Sequence, residues 1–191
     1  MIGNDIVDLD LAVVSRWKEQ RFREKIFTSE EIEKITYSAT PVVTLWRFWS
    51  MKEAAYKAHQ RHFSLPRTFN PKEIKCQQTG ESEGIVEIGK QKYLTSTSGF
   101  EDHIHSSAIT NSSIRMLQKK YTTLVNLKSE LLRLVSTTYH LPLETLNIKK
   151  DKHFIPGIFY KKKPLPIVFS LSHHGRFSAL LLQVNELLNP G

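Results

Sequence analysis

Trp49-Ser50-Met51-Lys52-Glu53-Ala54-Ala55-Tyr56-Lys57 lies inside a strong helical pattern that runs from about Val43 to Gln60, just after Pro41. Leu45, Phe48, Trp49, Ala55 and Tyr56 recur mostly at three- and four-residue steps, the period of a helix with one buried face. On such a helix Glu53 and Lys57 are four apart and share a face. An exposed pair of this kind is worth only about 0.3–0.5 kcal/mol as an ordinary ion pair. The same two groups also supply a carboxylate for a metal ion beside an ammonium for a phosphate. Ala54 and Ala55 would let a ligand or a strand come close.

Working outward, residues 2 to 9 read as a short strand with acids near its end, Gly3-Asn4-Asp5-Ile6-Val7-Asp8. Side chains alternate along a strand, so Asp5 and Val7 share one face and Asp8 points to the other. A helical pattern follows from about Leu11 to Lys25. Thr28-Ser29-Glu30-Glu31 is a capping box that opens a helix from Glu30 to about Tyr37. Beyond the central helix the chain turns strand-like: Lys72–Cys76, Gly84–Ile88 and Gln91–Thr97, with Gly89-Lys90 as a hairpin turn, then His103–Thr110. Asn111-Ser112-Ser113 is polar and suits a connection between two lobes.

A second helix is predicted from about Thr123, where Leu124, Leu127, Leu131, Leu134 and Val135 form one apolar stripe that ends before Pro142. Strands are expected at Asn147–Lys149, Ile158–Tyr160, Ile167–Leu171 and Phe177–Val184, with a turn over Lys161–Pro166. Strand, helices, strands, then helix and strands again is an α+β pattern of two half-domains, 1–112 and 113–191.

The chain has 191 residues, enough for one large domain or two small lobes. Its formal net charge is +8, which favours anionic partners without naming them. One cysteine, Cys76, excludes a disulfide scaffold and reads as a core residue. The N-terminal residues lack the basic and apolar regions of a signal peptide, and no apolar run approaches the ~18 residues of a membrane span. A cytoplasmic protein with no membrane partner is expected.

Phe169-Ser170-Leu171-Ser172-His173-His174-Gly175-Arg176-Phe177 ends a strand in hydroxyl, imidazole and a flexible glycine. Ser172 and His173 suit phosphate oxygens at the turn. A hydrolase elbow would need Gly where Ser170 stands. A zinc site would have to recruit His103, His105, His173 and His174 without an HExxH helix or cysteine pairs.

Together these segments resemble the 4′-phosphopantetheinyl transferase superfamily. Its signatures are a Gly-x-Asp strand end, here Gly3-Asn4-Asp5, and a Trp-Ser/x-x-Lys-Glu-Ala/Ser-x-x-Lys helix, here Trp49 to Lys57. Phe63-Ser64-Leu65-Pro66 looks like the continuation of that helix. Two-lobed, surfactin-synthetase-activating members carry a Ser-His motif before the Gly-x-Asp strand. Ser172-His173 looks like that motif but follows it, so the chain resembles a circularly permuted two-lobed member. The holo-acyl-carrier-protein synthases share this motif order but are shorter by about 70 residues, a length suited to a second lobe.

The resemblance implies two pseudo-symmetric lobes, each a small antiparallel sheet packed with a long helix. It implies transfer of the 4′-phosphopantetheine arm of coenzyme A to a serine of an apo acyl or peptidyl carrier protein, with Mg²⁺ and release of 3′,5′-ADP. Asp5 and Glu53 are then the metal ligands, with Glu53 and Lys57 catalytic. Lys57, Ser172, His173, Arg133 and Pro156 bind coenzyme A. Two positions depart from the family. Val7 stands where two-lobed members often carry a further acid, and Phe154-Ile155-Pro156, or Lys163-Pro164, stands in place of a Gly-Lys-Pro segment on the adenine side. Carrier proteins are typically acidic, which suits the basic chain, and two lobes in one chain favour a monomer. The competing readings are a basic nucleic-acid-binding module, using Trp46, Phe48 and Trp49, and a homologue that binds carriers without transfer. No nucleic-acid-binding signature is present, and the three aromatics fall at core spacing.

Overall fold

The computed structural model describes residues 1–123 and 125–184; Leu124, assigned above to the second apolar stripe, lies outside the described residues. The chain opens with β1 (Ile2–Asp8), α1 (Leu9–Val13), a 3₁₀ turn at Arg16–Lys18, α2 (Gln20–Ile26), α3 (Ser29–Thr36) and α4 (Pro41–Phe63). The strands β2 (Ile74–Gln78), β3 (Glu83–Ile88), β4 (Gln91–Gly99) and β5 (His103–Ile109) complete an antiparallel sheet in the order β1-β5-β4-β3-β2. Then come β6 (Met116–Tyr121), α5 (Leu127–Tyr139), β7 (Leu146–Lys150), β8 (Pro156–Tyr160), β9 (Lys163–Pro164), β10 (Phe169–His174) and β11 (Phe177–Gln183). These build two three-stranded sheets, β10-β11-β6 and β7-β8-β9.

The α+β class is as expected, and the element order explains the pseudo-symmetry. Each half runs strand, helix, further strands, closing hairpin. The units β1-β5-β4 and β6-β11-β10 have the same order and the same antiparallel sense. Aligning the two hairpin ends places Asp5–Ser106–Thr97 in one unit level with Lys120–Ala179–Ser172 in the other. The halves differ in their outer strands: β3 pairs with β4, whereas β8 pairs with β9 in a separate sheet.

The predicted helix over Leu11–Lys25 is instead three short pieces. Ser15 Oγ donates to the Ala12 carbonyl at 2.6 Å, and both Ser15 and Glu19 are extended. A serine bonding its own backbone competes with helix propagation.

The central helix α4 starts on Pro41 and ends where Ser64 turns left-handed at φ 50°. It is anchored from within. Lys52 is fully buried, and its Nζ donates to Glu31 Oε2 at 2.7 Å and to the carbonyls of Ile26 and Pro71 at 2.8 Å. Glu31 completes the capping box with Thr28 and accepts from the Cys76 amide at 2.7 Å. Two buried charges are tolerable because each is paired and hydrogen-bonded on several sides. Cys76 is buried beside them, which pushes its thiol well up.

On its opposite side α4 lies against β1 at the closest approach glycine allows. A Cβ added to Gly3 would stand 2.7 Å from the Ala58 amide nitrogen and closer still to the Ala54 carbonyl oxygen. Ala54, Ala55 and Ala58 are fully buried there.

The lobes meet along β1 and β10. The Asn4 amide donates to Ser170 Oγ at 3.0 Å and the Asp8 amide to His174 Nδ1 at 2.9 Å. Equal steps along both strands mean that they run parallel, joined by side chains. His105, inside this seam, meets Asn4 Nδ2 at 3.3 Å, and burial, with Lys120 as the next cause, drives its pKa down to about 3. At the seam's end the fully buried Asp8 carboxylate accepts from the Arg176 amide, Nε and Nη2 at 3.0, 3.0 and 2.9 Å. The Arg176 hydrogen bonds hold its pKa at about 2.

Two predictions follow from these contacts. Gly3→Ala must push β1 off the α4 backbone, and overpacking of this kind costs about 1–3 kcal/mol. The melting temperature should drop by about 3–10 °C, and an unchanged melting curve would refute the close approach. Asp8→Asn should cost about 1–2 kcal/mol at neutral pH, discounted for the half-exposed arginine. Because the folded pKa is depressed, this stabilisation is present above the ordinary carboxylate value of 3.8 and is lost as pH falls towards about 2. Wild type and variant should therefore converge in denaturant titrations across that window.

Candidate active site

Strand β1 and helix α4 deliver the acids. Asp5 sits mid-strand, its side chain nearly buried, with Oδ1 3.0 Å from Lys57 Nζ. Lys57 also donates to the Asn4 carbonyl at 2.9 Å, and Ser50 Oγ donates to the Asp5 carbonyl at 3.2 Å. Glu53, one turn before Lys57, faces the same space. Burial raises its pKa, and the nearby Asp5 carboxylate adds to the rise, against the smaller opposing effects of Lys57 and Arg67. Its carboxylate accepts no hydrogen bond from the described residues. Glu53, held protonation-prone by burial beside the Asp5 carboxylate, forms with it a ready site for a cation.

From the other lobe β10 supplies Ser172 and His173. Asp5, Glu53, Lys57, Ser172 and His173 line one cavity of about 310 Å³, with Val7 and Trp49 on its wall. The Ser172 hydroxyl is buried and has no hydrogen-bond partner in the structure. His173 is exposed at the lip. A second cavity, about 260 Å³, continues along α4 and is bounded by Glu53, Lys57, Arg61, Arg67, Lys150 and the 153–156 segment. A third, about 420 Å³, opens beyond His173 between Leu171 and the start of α5.

The structure thus brings Asp5, Glu53, Lys57, Ser172 and His173 together, with Pro156 in the adjoining cavity. Arg133 is not brought to them: it lies on the exposed side of α5, paired with Glu130, and borders none of these cavities. Of the two segments weighed for the adenine side, Phe154-Ile155-Pro156 borders the cleft, while Lys163-Pro164 forms the exposed strand β9. Asp8 turns away from the cleft into its clasp with Arg176, so the acids of β1 do not act as a pair on one ion. Trp46 and Phe48 are core residues, and Trp49 packs edge-on to Phe69.

Sequence reading missed Arg61, Arg67, Lys150 and His153. Only Arg61 carried a usable signal, standing four residues after Lys57 on the same helical face.

Among the described residues no three His, Cys, Asp or Glu side chains cluster as a complete metal site. Asp5 and Glu53 provide two hard oxygen ligands. That suits a cation which takes its other ligands from phosphate and water, as Mg²⁺ often does. No helix among the described residues is long and apolar enough to cross a membrane.

Comparison with known proteins bears on this arrangement. No curated protein sequence matches the chain. Solved structures that resemble it include two acyl-carrier-protein synthases. The holo-[acyl-carrier-protein] synthase of Neisseria meningitidis is 21% identical, with a TM-score of 0.48, over 58% of this chain and 97% of that one. The Thermotoga maritima holo-[acyl-carrier-protein] synthase is 11% identical, with a TM-score of 0.44, over 85% of this chain and 83% of that one. Residues 1–117 match the family model of the 4′-phosphopantetheinyl transferase superfamily. That match spans β1, α4 and the whole first sheet, more than half of the sequence, and the chain belongs to this superfamily.

Proposed function

We propose that the chain transfers the 4′-phosphopantetheine arm of coenzyme A to a serine of an apo acyl or peptidyl carrier protein. The observation that carries this reading is the meeting of Asp5, Glu53 and Lys57 from one half with Ser172 and His173 from the other in a single cavity. The division of labour follows the lobes, 1–112 and 113–191.

Each residue has a part that its chemistry fits. Lys57, already oriented by Asn4 and Asp5, places an ammonium where a pyrophosphate oxygen would lie. Ser172 and His173 can donate to the same group, Ser172 with a hydroxyl that has no other partner. Asp5 and Glu53 are the residues that would hold Mg²⁺. When bound, that ion would offset the negative charge of the pyrophosphate and of the departing 3′,5′-ADP. The carrier serine oxygen forms a bond to the β-phosphorus, and the bond from that phosphorus to the bridging oxygen of 3′,5′-ADP breaks. The serine proton goes to Glu53, directly or through a water. A carboxylate whose proton affinity is raised by burial is the better base for it.

The net charge of +8 supports an acidic protein partner. Since one chain supplies both walls of the cavity, the working unit is a monomer. A cytoplasmic location goes with this reading, since the reaction consumes coenzyme A.

Glu53→Gln should fold with a melting temperature near that of wild type yet lose transfer at least about a hundredfold, the size typical of a lost catalytic proton acceptor. The assay is intact-mass detection of the arm on apo-carriers incubated with coenzyme A and Mg²⁺. Normal turnover by this variant would refute the assignment. Failure of wild type on every carrier tested, with coenzyme A still bound, would favour a carrier-binding protein without transfer.

A further inference from the structure

Strands β1 and β10 run side by side in separate sheets, and among the described residues no backbone hydrogen bond joins them. Side chains set their register instead: Ser170 Oγ accepts from the Asn4 amide and His174 Nδ1 from the Asp8 amide. Both bonds join residues 166 apart, so Ile6 stands level with Ser172. The buried apolar cluster at this seam is small, Ile6, Phe177 and Ala179, and apolar contact is not directional. A pair of strands held this way can slip. One residue of slip would turn every β10 side chain to its opposite face. Two residues would bring Ser170 or His174 to the place of Ser172.

The end of the seam is locked against such a slip. The fully buried Asp8 carboxylate accepts from the Asp10 amide at 3.1 Å and from the Arg176 amide, Nε and Nη2 at 3.0, 3.0 and 2.9 Å. Four donors use the acceptor directions that a carboxylate has. Gly175, at φ 54°, lets the turn after β10 close on this group; a Cβ there would overlap Asp8 Oδ2 and stand 2.6 Å from Leu11 Cδ1. A buried ion pair is weak evidence for stability, and fixing register is its best-attested use. The lock is near the cavity. Asp5 lies three residues before Asp8 on β1, about 10 Å, and Ser172 two residues before His174 on β10, about 7 Å. Ser172 has a short side chain and no protein partner, so its hydroxyl is only as well placed as the strand that carries it.

We propose that Asp8 and Arg176 are positioning residues of the transfer reaction: their clasp holds β10 in register on β1 and so sets Ser172 and His173 opposite Asp5 and Glu53. This rests on the transfer reading above, and its test separates the two. Affinity for 3′,5′-ADP is measured by calorimetric titration, well below the melting temperature, on wild type, Arg176→Gln, Arg176→Lys and Gly175→Ala. Val86→Ala, in the fully buried core of β3, is the comparison that lowers stability alone. Arg176→Gln and Gly175→Ala should each weaken the nucleotide by at least about tenfold, as loss of a group that orients a binding residue does. The KM for coenzyme A in transfer assays should rise with it. Arg176→Lys keeps the charge without the fork and should fall between, whereas Val86→Ala should bind like wild type at a similar loss of melting temperature. A second readout needs no ligand. His174 accepts at Nδ1, so its neutral ring carries the proton on Nε2, and nitrogen-15 spectra should show that tautomer in wild type and lose it in Arg176→Gln. If Arg176→Gln binds 3′,5′-ADP as tightly as wild type or Val86→Ala, the inference is overturned and the clasp only holds the fold together. Should Arg176→Gln fail to fold, Arg176→Lys and Gly175→Ala decide by the same comparison. Wild type that binds the nucleotide but transfers nothing, with binding weakened in Arg176→Gln, sinks the transfer reading and leaves the clasp standing. Wild type that binds no nucleotide sinks both.

Discussion

The absence of a side chain at Gly3 sets the distance between β1 and α4, and the site depends on that distance. With a Cβ there, strand and helix could not approach to where the Ala58 amide would stand 2.7 Å from it. At that separation Ser50 reaches the Asp5 carbonyl and Lys57 reaches the Asn4 carbonyl, so the helix hydrogen-bonds to the strand on either side of the Asp5 side chain. Glu53 then comes close enough to Asp5 for that carboxylate to add to the rise in its pKa that burial causes. The glycine of the Gly-x-Asp segment is therefore a packing residue whose effect is electrostatic.

The two halves share a plan, but the residues at equivalent positions differ. Level with Asp5 in the first unit stands Lys120 in the second; level with His173 in the second stands Ser98 in the first. Around Lys120 the neighbours are Ser98 at 3.5 Å and His103 at 3.4 Å, which offer no pair of acids. The acids lie on the side where β1 and β10 run together, a seam whose polar contacts flank a small apolar cluster of Ile6, Phe177 and Ala179. Ser170, His174 and the Arg176–Asp8 clasp fix its register by directional bonds that an apolar seam would not impose.

What could be read from the sequence was what depends on near neighbours. The capping box at Thr28, the helix after Pro41 and the Gly89-Lys90 hairpin each follow from residues within a few positions, and each is present. Strand β6 was not seen because Met116–Tyr121 has no buried residue and so no alternation to read. The helical period over Leu11–Lys25 was real, but the local bond of Ser15 broke it. Asp8 illustrates the limit. Its face was readable from strand alternation, yet its partner lies 168 residues away and only the fold brings Arg176 to it. Arg61 is similar: its spacing from Lys57 was visible, but the Phe169 ring it lies over comes from the other half.

The Trp49–Lys57 signature is dense because one helical segment serves three surroundings at once. Successive residues step about 100° around the axis. Lys52 points into the first lobe's interior, where it joins α3, α4 and the Cys76 strand through Glu31. Ser50 and Ala54 face β1, and Glu53 and Lys57 face the cleft. The lysine beside the glutamate is thus buried and structural, while Lys57, four residues after the glutamate, lines the cavity. An Arg or Gln at Lys52 would leave Glu31 with poor geometry in a dry site, whereas at Lys57, open to the cavity, a cation has room to adjust. Two lysines of one motif thus sit under opposite constraints, Lys52 sealed among fixed partners in a dry interior and Lys57 held by Asn4 and Asp5 at the wall of an open cavity.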